Sequence, residues 1–255
     1  MEHRIQFLTE NDCWKSGRTI TPKGVMVHSC GVAQPNVEVF LRTWNRPGYT
    51  ACVHAFVHEG GVVQTLPWNR RGWHAGGAAN NTHIGFEICE PAGHTYKGGT
   101  MIGYDIEKQE DYFRKVYANA VELTAELCKS YSLNPLEDGV VICHSEGCEC
   151  GIASNHADVM HWFPKHEKTM DDFRHDVAKA MAPDQPKPEY KVYSRLEDTP
   201  RWCRPSLQKA VDQGVLKGTG NGRLDVSEDL CKVLTLLDRL GLLEDGAKTP
   251  KEEKV

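Results

Sequence analysis

Two histidines and an aspartate stand beside apolar runs of this chain. His28 closes Val25-Met26-Val27, and His144 closes Val140-Val141-Ile142-Cys143. Asp158 comes shortly before the aromatic pair Trp162-Phe163. Two imidazoles and a carboxylate form a donor set for a catalytic Zn²⁺, which takes three protein ligands and leaves a fourth position for water. A further carboxylate, Glu87, lies in the run Ile84-Gly85-Phe86-Glu87-Ile88. An acidic group ending a buried strand needs a partner. Beside a metal and a water, that group suits hydrolysis. Each residue also has a plainer reading, as a hydrogen-bonded strand-end histidine or a salt-bridged glutamate. It is the combination that favours chemistry. Imidazole and carboxylate ligands also admit Co²⁺ or Mn²⁺.

The elements that must position these groups are short. Segments 24–29, 52–58, 61–66, 83–89 and 139–144 are rich in Val, Ile or Phe and read as strands. Glu59-Gly60-Gly61 reads as a hairpin turn between two of them. Helices are expected over 36–45, 110–131 and 169–181. In the second, Phe113, Val116, Tyr117, Ala120, Leu123, Leu127 and Tyr131 recur at helical spacing. Strands covered by helices predict an α/β domain with a central mixed β-sheet.

That domain is expected over 1–181. A linker follows over 182–189, with three prolines in Pro183-Asp-Gln-Pro-Lys-Pro-Glu189. A small helical module is expected over 190–247. Thr199 reads as the N-cap of its first helix, with Pro200 at the first helical position. Leu207, Ala210 and Val211 give that helix an apolar face, Gly214 ends it, and 218–222 form a loop. Ser227 reads as the N-cap of a second helix with Leu230, Val233, Leu234, Leu237 and Leu240 on its core face.

Composition narrows the classes. The chain has 255 residues, 40% hydrophobic and 25% charged, with a formal net charge of −5. That balance argues against a nucleic-acid binder, which carries a basic face. No apolar run is long enough to span a membrane, and the first residues contain no signal-peptide core. The expectation is a protein that is cytoplasmic until released. Its ten cysteines are then mostly free thiols. Cys148 and Cys150 sit too close for an easy structural disulfide. A thiol-based metal or redox protein using Cys143, Cys148 and Cys150 is a competing reading, though the paired spacing it needs is missing.

Six pieces occur in one order: Val27-His28-Ser29; Ala51 to Val57 before Gly60-Gly61-Val62-Val63-Gln64; Gly72-Trp-His-Ala-Gly76; Asn80 with Ile84-Gly85-Phe86-Glu87; Cys143-His144; and His156-Ala-Asp158 before Trp162-Phe163. In these the chain resembles the zinc-dependent N-acetylmuramoyl-L-alanine amidases of the peptidoglycan-recognition superfamily, of phage or prophage endolysin type. The resemblance implies a groove holding Zn²⁺, with His28, His144 and Asp158 as metal ligands and Glu87 as catalytic base. Glu90 is the alternative base. His156 matches a position where relatives often carry a lysine that helps polarise the substrate carbonyl. His54 is expected to support the zinc site from beneath, with Trp73 and His74 as groove wall or structural residues. The segment Pro91–Gly103 is expected to loop over the groove.

The chain also departs from the family. Val53 stands where some relatives have Tyr, which leaves Tyr49 as the tyrosine that could reach in. Asp158-Val159-Met160 replaces a frequent Asp-Pro-Gly.

The implied activity is cleavage, by zinc-activated water, of the amide between N-acetylmuramic acid and L-alanine of the stem peptide. The implied partner is the peptidoglycan of a Gram-positive cell wall, reached without membrane insertion. The module over 190–247 resembles helical modules found on such amidases. Wall binding and homo-oligomerisation are both open for it. Two other functions compete: a peptidoglycan-recognition module without catalysis, and an amidase of small muropeptides in wall recycling.

Overall fold

The computed structural model describes residues 1–182 and 191–243. The chain divides into two compact units, Met1–Pro183 and Asp184–Val255. Apart from Ala182, the Pro-rich linker lies outside the described residues, as does the end of the module beyond 243.

The first unit begins with strand β1 (Glu2–Ile5) and a short helix α1 (Asp12–Ser16). Strand β2 (Gly24–Ser29) is followed by α2 (Val37–Trp44), then β3 (Ala55–His58) and β4 (Gly61–Gln64). Next come β5 (His83–Ile88) and a hairpin of β6 (Thr95–Lys97) and β7 (Thr100–Ile102). Helix α3 (Ile106–Tyr131), β8 (Val141–Cys143), α4 (His144–Glu149) and α5 (Met170–Met181) complete it.

Six strands form one sheet in the order β1-β4-β3-β5-β2-β8. Only the β3–β4 hairpin pairs antiparallel, and the other four pairings are parallel. The expected mixed sheet is therefore present. Strands with both faces covered read as continuous apolar runs, which is why β2 and β5 were legible. Val25, Val27, Ile84, Phe86 and Ile88 point to one face and pack with Phe113, Val116 and Ala120 of α3. The opposite face places Phe56 and Val63 against Val37, Phe40 and Leu41 of α2.

Several boundaries differ from the sequence reading. The strand expected over 52–58 begins only at Ala55, because Cys52 pairs instead with Trp73 in an isolated bridge. The 26-residue α3 starts four residues before the expected 110, where Asp105 caps it by accepting from Lys108 N. His144 does not end a strand; it is the first residue of α4. Pro91–Gly103 is a β-hairpin, and none of its residues lines the cavity described below.

In the second unit, β9 (Val192–Tyr193) pairs antiparallel with β10 (Val226–Ser227). Helices α6 (Arg204–Asp212) and α7 (Glu228–Arg239) pack around Cys203, Leu207, Ala210, Cys231 and Leu234. Ser227 caps α7 as expected, accepting from Leu230 N at 3.2 Å. Thr199 does not cap α6. Its hydroxyl donates to Leu196 O at 2.6 Å and closes a preceding 3-10 turn, so the helix starts five residues later. The core face of α7 matches the expected one in part, with Leu234 buried and Leu237 packed against the core. Leu230, Val233 and Leu240 are exposed, while Cys231, Leu234 and Thr235 face inward. No helix among the described residues is long and apolar enough to cross a membrane.

Candidate functional site

Register builds the site. In the parallel pair β2–β5, His28 lies opposite Glu87 and Met26 opposite Gly85. Side chains alternate across a strand, so the residues between the α3-facing valines and isoleucines emerge on the other face. His28 and Glu87 thus stand side by side where parallel strands end, the usual place for a ligand crevice in such sheets. On β8, Ile142 packs with Met26 on this face, and two residues later His144 opens α4.

Three donor atoms converge there. Asp158 Oδ2 is 2.7 Å from His28 Nδ1 and 2.8 Å from His144 Nδ1, and the two Nδ1 atoms are 3.1 Å apart. Among the described residues this is the one group of three or more His, Cys, Asp or Glu side chains with metal-ligand spacing. A tetrahedral ion with bonds of about 2.0–2.1 Å spaces its donors roughly 3.3 Å apart, a few tenths more than here. Zn²⁺ therefore fits the donors with a small outward shift. Both histidines are buried, with exposures of 1% and 4%. Burial first, then the neighbouring His144 and His156, outweigh Asp158 and lower the His28 pKa. A neutral imidazole is the form a metal binds. Burial opposes the Asp158 charge, but hydrogen bonds with His144 and His28 prevail and hold its carboxyl below the usual range.

The outward nitrogens are also engaged. With Nδ1 turned to an ion, His28 carries its proton on Nε2 and donates to His74 Nδ1 at 3.0 Å. His74 in turn donates from Nε2 to His83 O at 3.2 Å. His144 Nε2 donates to Ser154 Oγ at 3.1 Å. Such partners fix tautomer and ring orientation. The histidine behind the site is thus His74, not His54. His54 is buried one step further away, bonding Arg70 O and Gly85, and burial lowers its pKa to about 4. The sequence did carry a signal for His74. A Cβ on Gly85 would lie 2.4 Å from the His74 ring, and one on Gly76 would lie 2.6 Å from Ser154 Oγ. The glycines make room for these partners. Gly85→Ala is expected to displace His74, cost about 1–3 kcal/mol of stability by urea unfolding, and weaken metal binding. Unchanged unfolding and metal affinity would contradict this role for Gly85.

Glu87 borders the same cavity of about 450 Å³, with Trp73, Asn80, Ser154 and His156. Its Oε2 is buried and has no hydrogen-bond partner among the described residues. Burial above all, then the charges of Asp158 and Glu90, raise its pKa well above the ordinary value. His156 is exposed; its Nδ1 is 3.1 Å from Ser154 Oγ, and its ring centroid is 4.7 Å from that of His144. Tyr49 packs on Trp44 and does not line the cavity, whereas Thr50 does. Glu90 points elsewhere, into a buried network with His94, Tyr96 and His161. A second cavity of about 560 Å³, lined by Glu137, Asp138, Glu149 and Cys150, contains none of the donors. All ten cysteines are free, and none joins a metal cluster among the described residues, so the thiol reading has no geometric support.

Comparisons with known proteins agree with this geometry. The family model for N-acetylmuramoyl-L-alanine amidases, Amidase_2, matches residues 18–164. The amidase XlyA of Bacillus subtilis (strain 168) is 34% identical over 83 residues, 31% of this chain and 28% of that protein. The match thus spans under a third of that relative's length. Among solved structures, the Staphylococcus aureus hydrolase AmiA, in complex with its ligand, superposes with a TM-score of 0.55. It is 19% identical and the match covers 71% of this chain and 83% of AmiA. The catalytic domain of XlyA gives a TM-score of 0.51 at 24% identity, covering 69% and 99%. At such identities the two structures speak for a shared fold. The family model spans every strand of the sheet but β1, the donor triad and Glu87, and on that match this chain belongs to the N-acetylmuramoyl-L-alanine amidase family.

Proposed function

We propose that this protein hydrolyses the amide joining the lactyl group of N-acetylmuramic acid to L-alanine in peptidoglycan, in the manner of phage and prophage endolysins. The observation that carries the reading is the orphaned Glu87 Oε2 beside the donor triad. A receptor that only holds muropeptide gains nothing from a buried carboxylate without a partner, whose burial costs free energy. A hydrolase needs a base in that place.

His28, His144 and Asp158 would hold the ion. When bound, zinc supplies a water acidified to a pKa near 7 and a Lewis acid for the carbonyl. Glu87 takes the proton of the attacking water and passes it to the leaving amine. A carboxylate whose pKa burial raises is a stronger base than a solvated one and returns the proton as a general acid. His156, at the mouth of the cavity, donates to the carbonyl oxygen as negative charge develops on it. Trp73 and Thr50 bound the space that the substrate enters.

The test is digestion of purified Gram-positive peptidoglycan by the wild type and by His28→Ala, with mass spectrometry of the products and metal content of each protein. Free stem peptides bearing an N-terminal L-alanine, absent with His28→Ala, support the reading. Cleavage confined to small soluble muropeptides would move the substrate to wall recycling. Binding to the wall without any new amine would leave a recognition module.

A further inference from the structure

Glu90 is fully buried, with 0% exposure, yet it is a carboxylate. Four donors converge on it. Oε1 accepts from Gly31 N at 3.0 Å and from His161 Nε2 at 3.2 Å. Oε2 accepts from Tyr96 OH at 2.8 Å and from His94 Nε2 at 3.0 Å. The His94 tautomer follows from its surroundings. Its Nδ1 is buried without a partner, so the proton sits on Nε2, where Glu90 receives it. An ionised carboxylate has about four acceptor sites, and here each is used. Burial opposes the charge, but the bonds from His161 and Tyr96 prevail and keep Glu90 below the ordinary carboxylate range.

The origin of these donors matters more than their number. Gly31 lies three residues after His28, His161 three after Asp158, and Glu90 itself three after Glu87. The segments that deliver His28, Glu87 and Asp158 thus meet, just beyond those residues, at one carboxylate. The Asp158 segment has most need of a tie. Asp158 opens the 3-10 turn Asp158–His161 with a left-handed backbone, φ 46°. A non-glycine residue keeps that conformation only where its surroundings over-determine it. Downstream, the turn is fixed by Val159 and Trp162, both at 0% exposure, and by the His161 bond to Glu90.

We infer that Glu90 is a positioning residue, whose carboxylate clamps the Asp158 turn to the end of the His28 strand and so sets the spacing of the metal donors. The inference rests on the reading of His28, His144 and Asp158 as a zinc site. Glu90 touches neither the donors nor the cavity. Its effect passes through His161 and Gly31.

The test is Glu90→Gln, compared with the wild type and His94→Phe, in the full chain. Glutamine keeps the shape of the side chain, but it turns an NH₂ toward donors and loses the charge. The readouts are the zinc dissociation constant by chelator competition, the visible spectrum of the Co²⁺-loaded protein, and the melting temperature without metal. Glu90→Gln is expected to weaken zinc about 10–100-fold, the usual loss for an outer-shell partner, and to change the Co²⁺ spectrum. His94→Phe keeps a ring in place, removes one bond to Oε2 and leaves both ties of Oε1, so its zinc affinity stays within about threefold of wild type. Should Glu90→Gln fail to fold, His161→Phe removes the Glu90 bond to the Asp158 turn together with the contacts of that ring with Tyr96 and Ser29, and carries the same expectation. Wild-type zinc affinity in the folded variant, with only the melting temperature lowered, would reduce Glu90 to a hairpin anchor and overturn the inference. A wild type that binds no zinc would overturn the metal reading itself, and the inference with it.

Discussion

Replacing Glu87 with glutamine is expected to lower kcat on peptidoglycan by about 10²–10⁴-fold while zinc content stays at the wild-type level. The donor triad is untouched by the change, so chemistry is lost without the metal. Stability should move the other way. In the metal-free protein, burial and then the Asp158 charge raise the Glu87 pKa above its unfolded value. The folded state therefore binds more protons than the unfolded state above the ordinary carboxylate range. Stability from this group is fully present below that range and is lost as pH rises through the folded pKa. Glutamine stays neutral throughout. Metal-free Glu87→Gln is thus expected to be more stable than wild type at pH 7, by on the order of 1 kcal/mol, and the gain should fade toward pH 4. Urea unfolding at the two pH values measures this. A variant that retains activity, or whose metal-free stability falls at pH 7, would remove Glu87 from the role of base.

Removing the metal is the second large perturbation. A chelator should abolish activity and lower the melting temperature of the N-terminal unit. An ion that binds the folded state alone, at about a thousand times its Kd, adds roughly 4 kcal/mol. For a unit of this size that corresponds to about 8–16 °C. Calorimetry with excess zinc and with chelator reads the difference. His144→Ala should show almost none of it, because one of three donors is gone and Ser154 loses the ring it receives from. A full zinc-induced rise in His144→Ala would place the ion elsewhere.

The site was legible because two of its residues, His28 and Glu87, lie near the ends of strands buried on both sides. Such strands write themselves as uninterrupted apolar runs, and a polar residue closing one stands out, as His28 does. Parallel register then brings His28 and Glu87 onto one face, which two short runs alone do not reveal. His74 was read as groove wall or structural, and it does line the cavity, but its ring-to-ring bond to His28 depends on a register that the sequence does not state. β1 escaped notice because Glu2-His3-Arg4-Ile5 is an exposed edge strand without an apolar run. In α7, leucine and valine recur on more than one face, and hydrophobicity alone found Leu234 and Leu237 but also took in Leu230, Val233 and Leu240. The interior of this small unit takes the compact Cys231 and Thr235 against Cys203 and Ala210, and leaves the bulkier Leu230, Val233 and Leu240 outside.

Both candidate ligand histidines turn Nδ1, the ring nitrogen nearer the backbone, toward Asp158. A ligand of such short reach gives an ion little freedom to travel. The ion's place is set by where β2 ends and α4 begins, and side-chain rotation cannot carry it toward a poorly seated carbonyl. Adjustment during binding then falls to the polymer. A glycan strand that bends or slides by an ångström can be brought into line, while a stiff fragment of the wrong shape stays out of reach however tightly its ends are held.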